Sequence, residues 1–315
     1  MTIIETKRHP LKFYMLLTFL SIFLLGMGTL LCYTGLTKDF SKTTGKSNIP
    51  LIVAGVLFCS FAIWTIYVYF KNSPKVVITK TEIKIGHKRF PISFIKDVAL
   101  TSKLPFRLII PYPMEGTALL LNDDTEIFLY DDMYSNSHEI KSFLESEILK
   151  KGNQNKPILK TKFKKQDLDH SEIFKGNPFF SFRGIMLWGM IIFSGFIILL
   201  KNNIISITFL INFAVISTIW ILINSWFIHY FMLTKNHLVI KNHNYLWVEK
   251  AFQLSNIKEI VFEAKHKQPN TMRIITNDFK NKIYPAGTLR DKTWFELKRK
   301  LEQRNIIVRN ECIYE

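Results

Sequence analysis

Four long apolar blocks, arranged as two closely spaced pairs, constrain this chain more than any other feature. Residues 13–36 and 49–70 contain no charged side chain. Each stretch exceeds the roughly 20 residues that cross a ~30 Å hydrocarbon core at about 1.5 Å per residue. A third block covers residues 184–200 and a fourth residues 204–233, with only Lys201, Asn202 and Asn203 between them. The third is short, and Phe179, Phe180, Phe182 and Arg183 precede it, so its first turns are expected in the interface. The fourth is longer than a perpendicular crossing requires. It is expected to tilt, or to continue past His229 as helix or strand.

Close spacing makes each pair an antiparallel hairpin. The fold expected is therefore an α+β membrane protein with four transmembrane helices in two hairpins. Tyr14, Tyr33, Trp64, Tyr67 and Tyr69 lie toward the block ends, as interfacial aromatic belts do. The first block is read as retained. Its apolar run is longer than the usual signal h-region, no small-x-small site follows it, and Leu31 before Cys32 is a poor lipoprotein context.

The net charge of +17 has a simpler use here than nucleic acid, because basic residues set orientation and meet anionic headgroups. Lys7, Arg8, Lys12, Lys71, Lys75, Lys164, Lys165, Lys175, Arg183, Lys235 and Lys241 flank one side of the blocks. Lys38, Lys42, Lys46 and Lys201 flank the other. The balance places both termini and both large polar segments in the cytoplasm. Three cysteines, Cys32, Cys59 and Cys312, do not build a disulfide framework and read as reduced thiols.

The two halves repeat one order: hairpin, β-rich segment, amphipathic helix. After the first pair comes Thr79-Lys80 within residues 77–85, and after the second Thr234-Lys235 within 232–240. Both are expected to lie in one alternating strand. Ile92-Ser93-Phe94-Ile95-Lys96-Asp97-Val98 then parallels Leu254-Ser255-Asn256-Ile257-Lys258-Glu259-Ile260. Further strands are expected at 107–110, 117–121 and 126–130, and at 261–264, 272–276 and 282–284. Turns fall at Asn122-Asp123-Asp124 and Asn277-Asp278. Ile140, Phe143, Leu144 and Ile148 mark the first closing helix, with Ser135 or Ser137 as cap; Trp294, Leu297 and Leu301 mark the second, with Asp291 as cap. The division expected is hairpin 1–74, soluble domain 75–151, basic linker 152–178, hairpin 179–230 and soluble domain 231–315.

Several antiparallel strands closed by one helix is the plan of a pleckstrin-homology-like (PH-like) domain. On the Thr79-Lys80 and Thr234-Lys235 segments, the Ile95-Lys96-Asp97 and Ile257-Lys258-Glu259 segments and the Trp294 helix, the chain resembles the bacterial PH-like membrane proteins. The resemblance covers nearly the whole chain twice, although Ile140 stands where a counterpart of Trp294 would be. It implies a bacterial inner (plasma) membrane protein with two cytoplasmic interaction domains, and it carries over no catalytic residues.

The chain holds no P-loop, dinucleotide fingerprint, His-Glu-x-x-His or Cys-x-x-Cys. No catalytic residue, cofactor or metal ligand set is therefore assigned. Asp123, Asp124, Glu126, Asp131 and Asp132 lack the spacing of a calcium loop, and His237 and His243 lack a third ligand. With no ionisable residue at mid-span, a small transporter or membrane enzyme is disfavoured. Gly26, Gly28, Gly55, Gly189 and Gly195 are expected to let helices approach, and Asn212 and Asn224 to hydrogen-bond between helices. Lys80, Lys84, Lys88 and Arg89, with Lys292, Lys298, Arg299 and Lys300, form two basic surfaces that either contact anionic headgroups or are simply solvated. The partners expected are the lipid bilayer and a protein, a membrane-acting toxin being one specific class, with homo-oligomers also open. Toxin immunity is thus one form of a non-enzymatic interaction role, and a lipid or envelope-stress sensor is the alternative.

Overall fold

The computed structural model describes residues 4–37, 47–149, 171–200, 207–264 and 268–314. Lys38, Lys42, Lys46 and Lys201, and the linker up to residue 170, lie outside the described residues. The chain divides into two compact units, Met1–Gln154 and Asn155–Glu315.

Unit 1 begins with β1 (Ile4–Glu5) and a π-helical turn, Pro10–Met15, whose start is capped by the His9 ring. Two long helices follow, α1 (Leu16–Thr37) and α2 (Ile49–Asn72). Then come β2 (Val76–Ile78), β3 (Glu82–Ile85), β4 (Lys88–Pro91), β5 (Ile95–Arg107), β6 (Pro111–Leu121), β7 (Glu126–Tyr130) and α3 (Ser137–Glu147). The strands make two antiparallel sheets, β1-β2-β3-β4 and β5-β6-β7. Period-two alternation turns Val76, Ile78 and Ile83 inward, and they join Leu104, Leu119 and Leu129 in one core. The α3 stripe Ile140, Phe143 and Leu144 belongs to the same core.

Unit 2 repeats the order. It contains β8 (Glu172–Phe174), α4 (Phe182–Leu200), α5 (Ile207–Ser225), β9 (His229–Leu233), β10 (His237–Asn242) and β11 (Glu249–Gln253). It continues with β12 (Ile257–Glu263), β13 (Thr271–Thr276), β14 (Asn281–Pro285), α6 (Asp291–Glu302) and β15 (Ile307–Asn310). Its sheets are β11-β10-β9-β8 and β14-β13-β12-β15, with β15 parallel to β12. The Trp294 ring is wholly buried, 5.5 Å from Phe231 and 4.7 Å from Phe262 between centroids.

In both units the strand that precedes the helix pair completes the first sheet. Ile4 pairs with Ile78 across β1–β2, and Glu172 with Leu233 across β8–β9. The helix pair is therefore an insertion between the first and second strands of a sheet domain. This differs from the expected boundaries at 74 and 230, because a two- or three-residue strand is too short to carry a pattern of its own. Asn136 ties the strand down, accepting from the Lys7 backbone N–H at 2.9 Å and donating to the Glu5 carbonyl at 2.9 Å.

Several local expectations need correction. The Thr-Lys segments turn rather than run straight: Thr79 Oγ1 accepts from the Glu82 N–H at 3.0 Å, and Thr234 Oγ1 from the His237 N–H at 3.0 Å. Thr is the residue that closes such a turn on its own backbone. Residues 108–110 form the tip of the β5–β6 hairpin, not a strand. The fourth apolar block, by contrast, follows one of its expected courses: it is helix to Ser225 and continues as a strand, β9, from His229. Asn136 and Arg290 hold the N-cap positions of α3 and α6, so Asp291 is the first helical residue and faces the positive end of the dipole.

The Asn-Asp turns match atom for atom. The Asn122 amide donates to the Ser93 carbonyl at 3.5 Å, and Asn277 to the Ser255 carbonyl at 2.9 Å. Asp124 and Phe279, two residues on in each, take φ of 58° and 57°.

The class is α+β with antiparallel sheets. Two helical stretches, Pro10–Thr37 and Ile49–Asn72, are long and apolar enough to cross a membrane. The described stretches of the second pair, Phe182–Ile197 and Leu210–Ser225, are shorter apolar helices. Among the described residues two helices, not four, reach that length.

Candidate functional site

The α1–α2 pair is built on small residues. A Cβ added at Gly28 would stand 2.8 Å from the Gly55 carbonyl oxygen and 2.6 Å from Cys59 Sγ. A Cβ at Gly35 would stand 2.7 Å from Ile52 Cγ1. Contacts that pair 28 with 55 and 35 with 52 make the helices antiparallel. Away from this seam the side chains point outward: Phe19, Ile22, Leu30, Val56, Leu57 and Ile63 are all more than half exposed. Less than a quarter of the apolar stretch of either helix is buried. A contiguous apolar surface of that extent is not left in water by ordinary monomeric domains.

The ends of the pair are clamped by Arg8. Its guanidinium lies 5.2 Å from the Phe13 ring centroid and 4.6 Å from that of Phe70, joining the π-helical turn that leads into α1 to the end of α2. Its Nη2 donates to the Ser73 carbonyl at 3.0 Å. Nearby, Lys12 pairs with Asp132 at 2.6 Å, Lys75 with Glu5 at 2.6 Å, and Lys71 lies 5.7 Å from the Tyr67 ring. Read from sequence alone, Arg8 and Lys12 are orientation charges; in the fold they also close the helix ends.

In unit 2 the helix contact is made differently. The Trp220 indole N–H of α5 donates to the Leu187 carbonyl of α4 at 3.2 Å, and Phe213 approaches Gly195. These pairings run in opposite directions, so α4 and α5 are antiparallel too. Several expected packing residues lie elsewhere. Gly26 has nothing within 4 Å of an added Cβ, since it is two residues out of register with the Gly28–Gly35 stripe. Gly189 meets only Ile185 of its own helix. Asn224 donates to the Trp220 carbonyl one turn back in its own helix, and Asn212 is exposed. Gly55 lies at the α1–α2 seam.

The two basic surfaces are not alike. Lys84 and Arg89 sit directly opposite each other across β3–β4, an arrangement that costs stability unless an anion answers it. Lys88 pairs with Ile85, and Lys80 lies in the β2–β3 turn at the other end of β3. On α6, Lys298 has Glu302 at 3.7 Å and Lys300 has Glu172 at 2.8 Å, while Arg299 is exposed. Lys292 is exposed as well, so carboxylates of the same unit answer two of the four cations there.

The acidic cluster of unit 1 is dispersed into separate partnerships. Asp124 pairs with Lys96 at 2.8 Å and Asp132 with Lys12. Asp123 accepts from the Thr125 N–H, which holds its carboxyl below the usual range. Asp131 is buried against Lys141 at 2.7 Å. His237 opens β10, and His243 follows its last residue, Asn242. His243 rests 4.8 Å from the Tyr230 ring, and burial, then Lys175 and His229, push its imidazole down to about 4. No group of three or more His, Cys, Asp or Glu suited to a metal occurs among the described residues.

Sequence reading passes over the buried ion pairs. Arg273 and Glu263, both almost wholly buried, meet at 2.8 Å between the neighbouring strands β12 and β13. The available signal is Arg273 inside the apolar run of β13, with Glu263 closing β12 directly after Ile260-Val261-Phe262. A buried charge requires a partner.

No family model matches this chain, and no curated protein matches it.

Proposed function

We propose that this protein is a multi-pass, membrane-anchored, non-enzymatic interaction protein. In this reading four helices span the bilayer as two hairpins, and each carries a PH-like sheet domain on the cytoplasmic side of a bacterial inner membrane. The observation that carries it is the pairing of β1 with β2 across an apolar helix pair that is mostly unburied. A chain that leaves one sheet, passes through two antiparallel apolar helices and rejoins the same sheet returns to the side it left. The same logic in β8–β9 supports α4 and α5 as a second pair, at 19 residues each. Two sheets and a helix in each unit, antiparallel throughout except for the β15 strand that follows α6 and pairs with β12, support the PH-like reading, and the Lys and Arg flanks support the cytoplasmic assignment.

Support for a binding rather than a catalytic role comes from the buried charges. Lys141–Asp131 and Arg273–Glu263 neutralise each other inside the domains rather than converging on a shared reaction centre. The partner class we carry forward is a protein, with a toxin acting at the inner membrane as its specific form. The opposed cations Lys84 and Arg89 favour a second reading, contact with anionic headgroups. Membranes washed with alkaline carbonate should retain the protein, and tags at both ends should resist protease added to intact spheroplasts. Release by carbonate, or tags on opposite faces, refutes the anchoring scheme. Deletion of the gene should lower survival under challenge with the cognate toxin, and unchanged survival removes the immunity role. Lys84→Glu combined with Arg89→Glu should leave protein-partner capture intact; a loss of binding to phosphatidylglycerol vesicles would instead favour the headgroup reading.

A further inference from the structure

We infer that an exposed apolar loop in each unit is a membrane wedge, inserted into the headgroup region of the bilayer beside the exit of that unit's second apolar helix. This rests on the spanning reading above and goes beyond it, because it assigns lipid contact to the sheet domains.

In unit 1 the wedge is the tip of the β5–β6 hairpin. Ile109 and Ile110 are 68% and 76% exposed, next to the exposed Arg107. A hairpin tip of a water-facing domain ordinarily carries polar turn residues, so two adjacent exposed isoleucines ask for an apolar partner. The structure fixes where this tip lies. The Asn72 amide at the end of α2 donates to the Arg107 carbonyl at 3.4 Å, and the Phe106 ring packs edge-on to Tyr69 of α2 at 5.4 Å. The tip therefore leaves the sheet at the level of the last turn of α2. The same level holds the exposed rings of Tyr67 and Phe70, with Trp64 one turn deeper. Aromatic rings gather at that depth of a spanning helix because their apolar bodies and polar edges suit the headgroup boundary. Ile109 and Ile110 follow directly on the residues that meet α2 at this level, and Lys71 and Lys75 flank the helix end in sequence.

Unit 2 reaches the same arrangement with a different loop. Between β10 and β11, Leu246 and Trp247 are 85% and 77% exposed. This loop is tied to the exit of α5: Asn242 Nδ2 donates to the Ser225 carbonyl at 2.7 Å, Asn244 Nδ2 to Ser225 Oγ at 2.6 Å, and the Tyr245 hydroxyl to the Leu222 carbonyl. The corresponding turn of unit 1, at Gly86 and His87, carries no such residues. Two non-equivalent loops thus place exposed apolar side chains at equivalent points, beside the exit of the second helix. A protein-binding surface inherited by duplication would be expected on the same loop; a shared lipid boundary asks only for the same depth.

The test uses the full chain in phosphatidylcholine–phosphatidylglycerol vesicles, with an NBD fluorophore on an added cysteine and the unsubstituted chain as blank. Ile110→Cys and Leu246→Cys probe the wedges, Leu57→Cys the outward face of α2, and Asp123→Cys a fully aqueous turn. NBD at 110 and 246 should be quenched by shallow spin-labelled lipid, and iodide quenching should be about threefold weaker than at 123, as for an interfacial segment. Labels at 110 and 246 that follow 123 while 57 is quenched by deep spin-labelled lipid overturn the wedge and leave the spanning helices intact. Labels shielded from both iodide and lipid overturn it in favour of a protein partner. A label at 57 that is itself open to iodide overturns the spanning reading along with the wedge.

Discussion

Gly28 and Gly55 meet across the α1–α2 seam so closely that a Cβ on either would stand within 2.8 Å of the other's carbonyl oxygen. The contact is backbone against backbone, and a side chain at either position has nowhere to retreat. On the spanning reading the pair gains no hydrophobic drive from association in lipid, so close approach at small residues carries it.

Gly28→Val should therefore loosen the pair, at a cost of about 1–3 kcal/mol for forced overpacking. Gly26→Val, two residues away with nothing within 4 Å of its added Cβ, should change little. The comparison is made by thermal unfolding of the full chain in mild detergent. Equal losses for both variants would show that the seam is not what holds the helices together.

Arg273 and Glu263 are a second close relationship, inside unit 2. Arg273→Met should destabilise unit 2 by about 3–5 kcal/mol, because it strands a buried carboxylate. Adding Glu263→Leu should restore a large part of that loss. Denaturant midpoints of the single and double variants decide it. A double variant no better than Arg273→Met would mean that the pair does not act as a unit.

The fold should weaken in mild acid through His243. Burial and its cationic neighbours hold the folded imidazole at about 4, against an ordinary 6.5. Between these values the unfolded chain binds the proton more readily, so stability falls as pH drops from about 6.5 to about 4 and changes no further below. With partial solvent screening the loss is about 1–2 kcal/mol. His229, lowered chiefly by burial, acts in the same direction. His243→Gln should flatten the profile of denaturation midpoint against pH; an unchanged slope would remove His243 as a cause.

Thr79 and Thr234 should respond in parallel, since each closes the same turn of its own unit. Thr79→Val should cost about 1 kcal/mol for the lost hydrogen bonds. Thr234 is only 2% exposed, so Thr234→Val should cost about 1–3 kcal/mol by leaving the His237 N–H buried without that acceptor. Unfolding of the full chain, followed by near-UV circular dichroism, measures both.

Much of the plan is legible from the residues. The uncharged stretches, the Ser-x-Ile segments and the Asn-Asp turns give helix pairs, antiparallel strands and a repeat, because each is a local pattern read from neighbours in the chain. The Trp294, Leu297 and Leu301 stripe likewise marks the buried face of α6. The sites were less legible. Gly26 and Gly28 look interchangeable in sequence, yet only Gly28 lies on the seam, because a shift of two residues turns a helix position by about 200°. Lys298, Arg299 and Lys300 read as one basic patch, but consecutive helix positions diverge, and Lys298 and Lys300 meet different carboxylates.

Hydropathy and residue period are properties of a segment, so apolar blocks and strand alternation were available before any fold was known. Which segments meet is a property of distance in space. That Ile4 lies beside Ile78, that Arg8 bridges Phe13 and Phe70, and that Arg273 finds Glu263 follows from three-dimensional closure of the sheets. No local pattern encodes those pairings, because the free energy that selects them comes from burying both partners together.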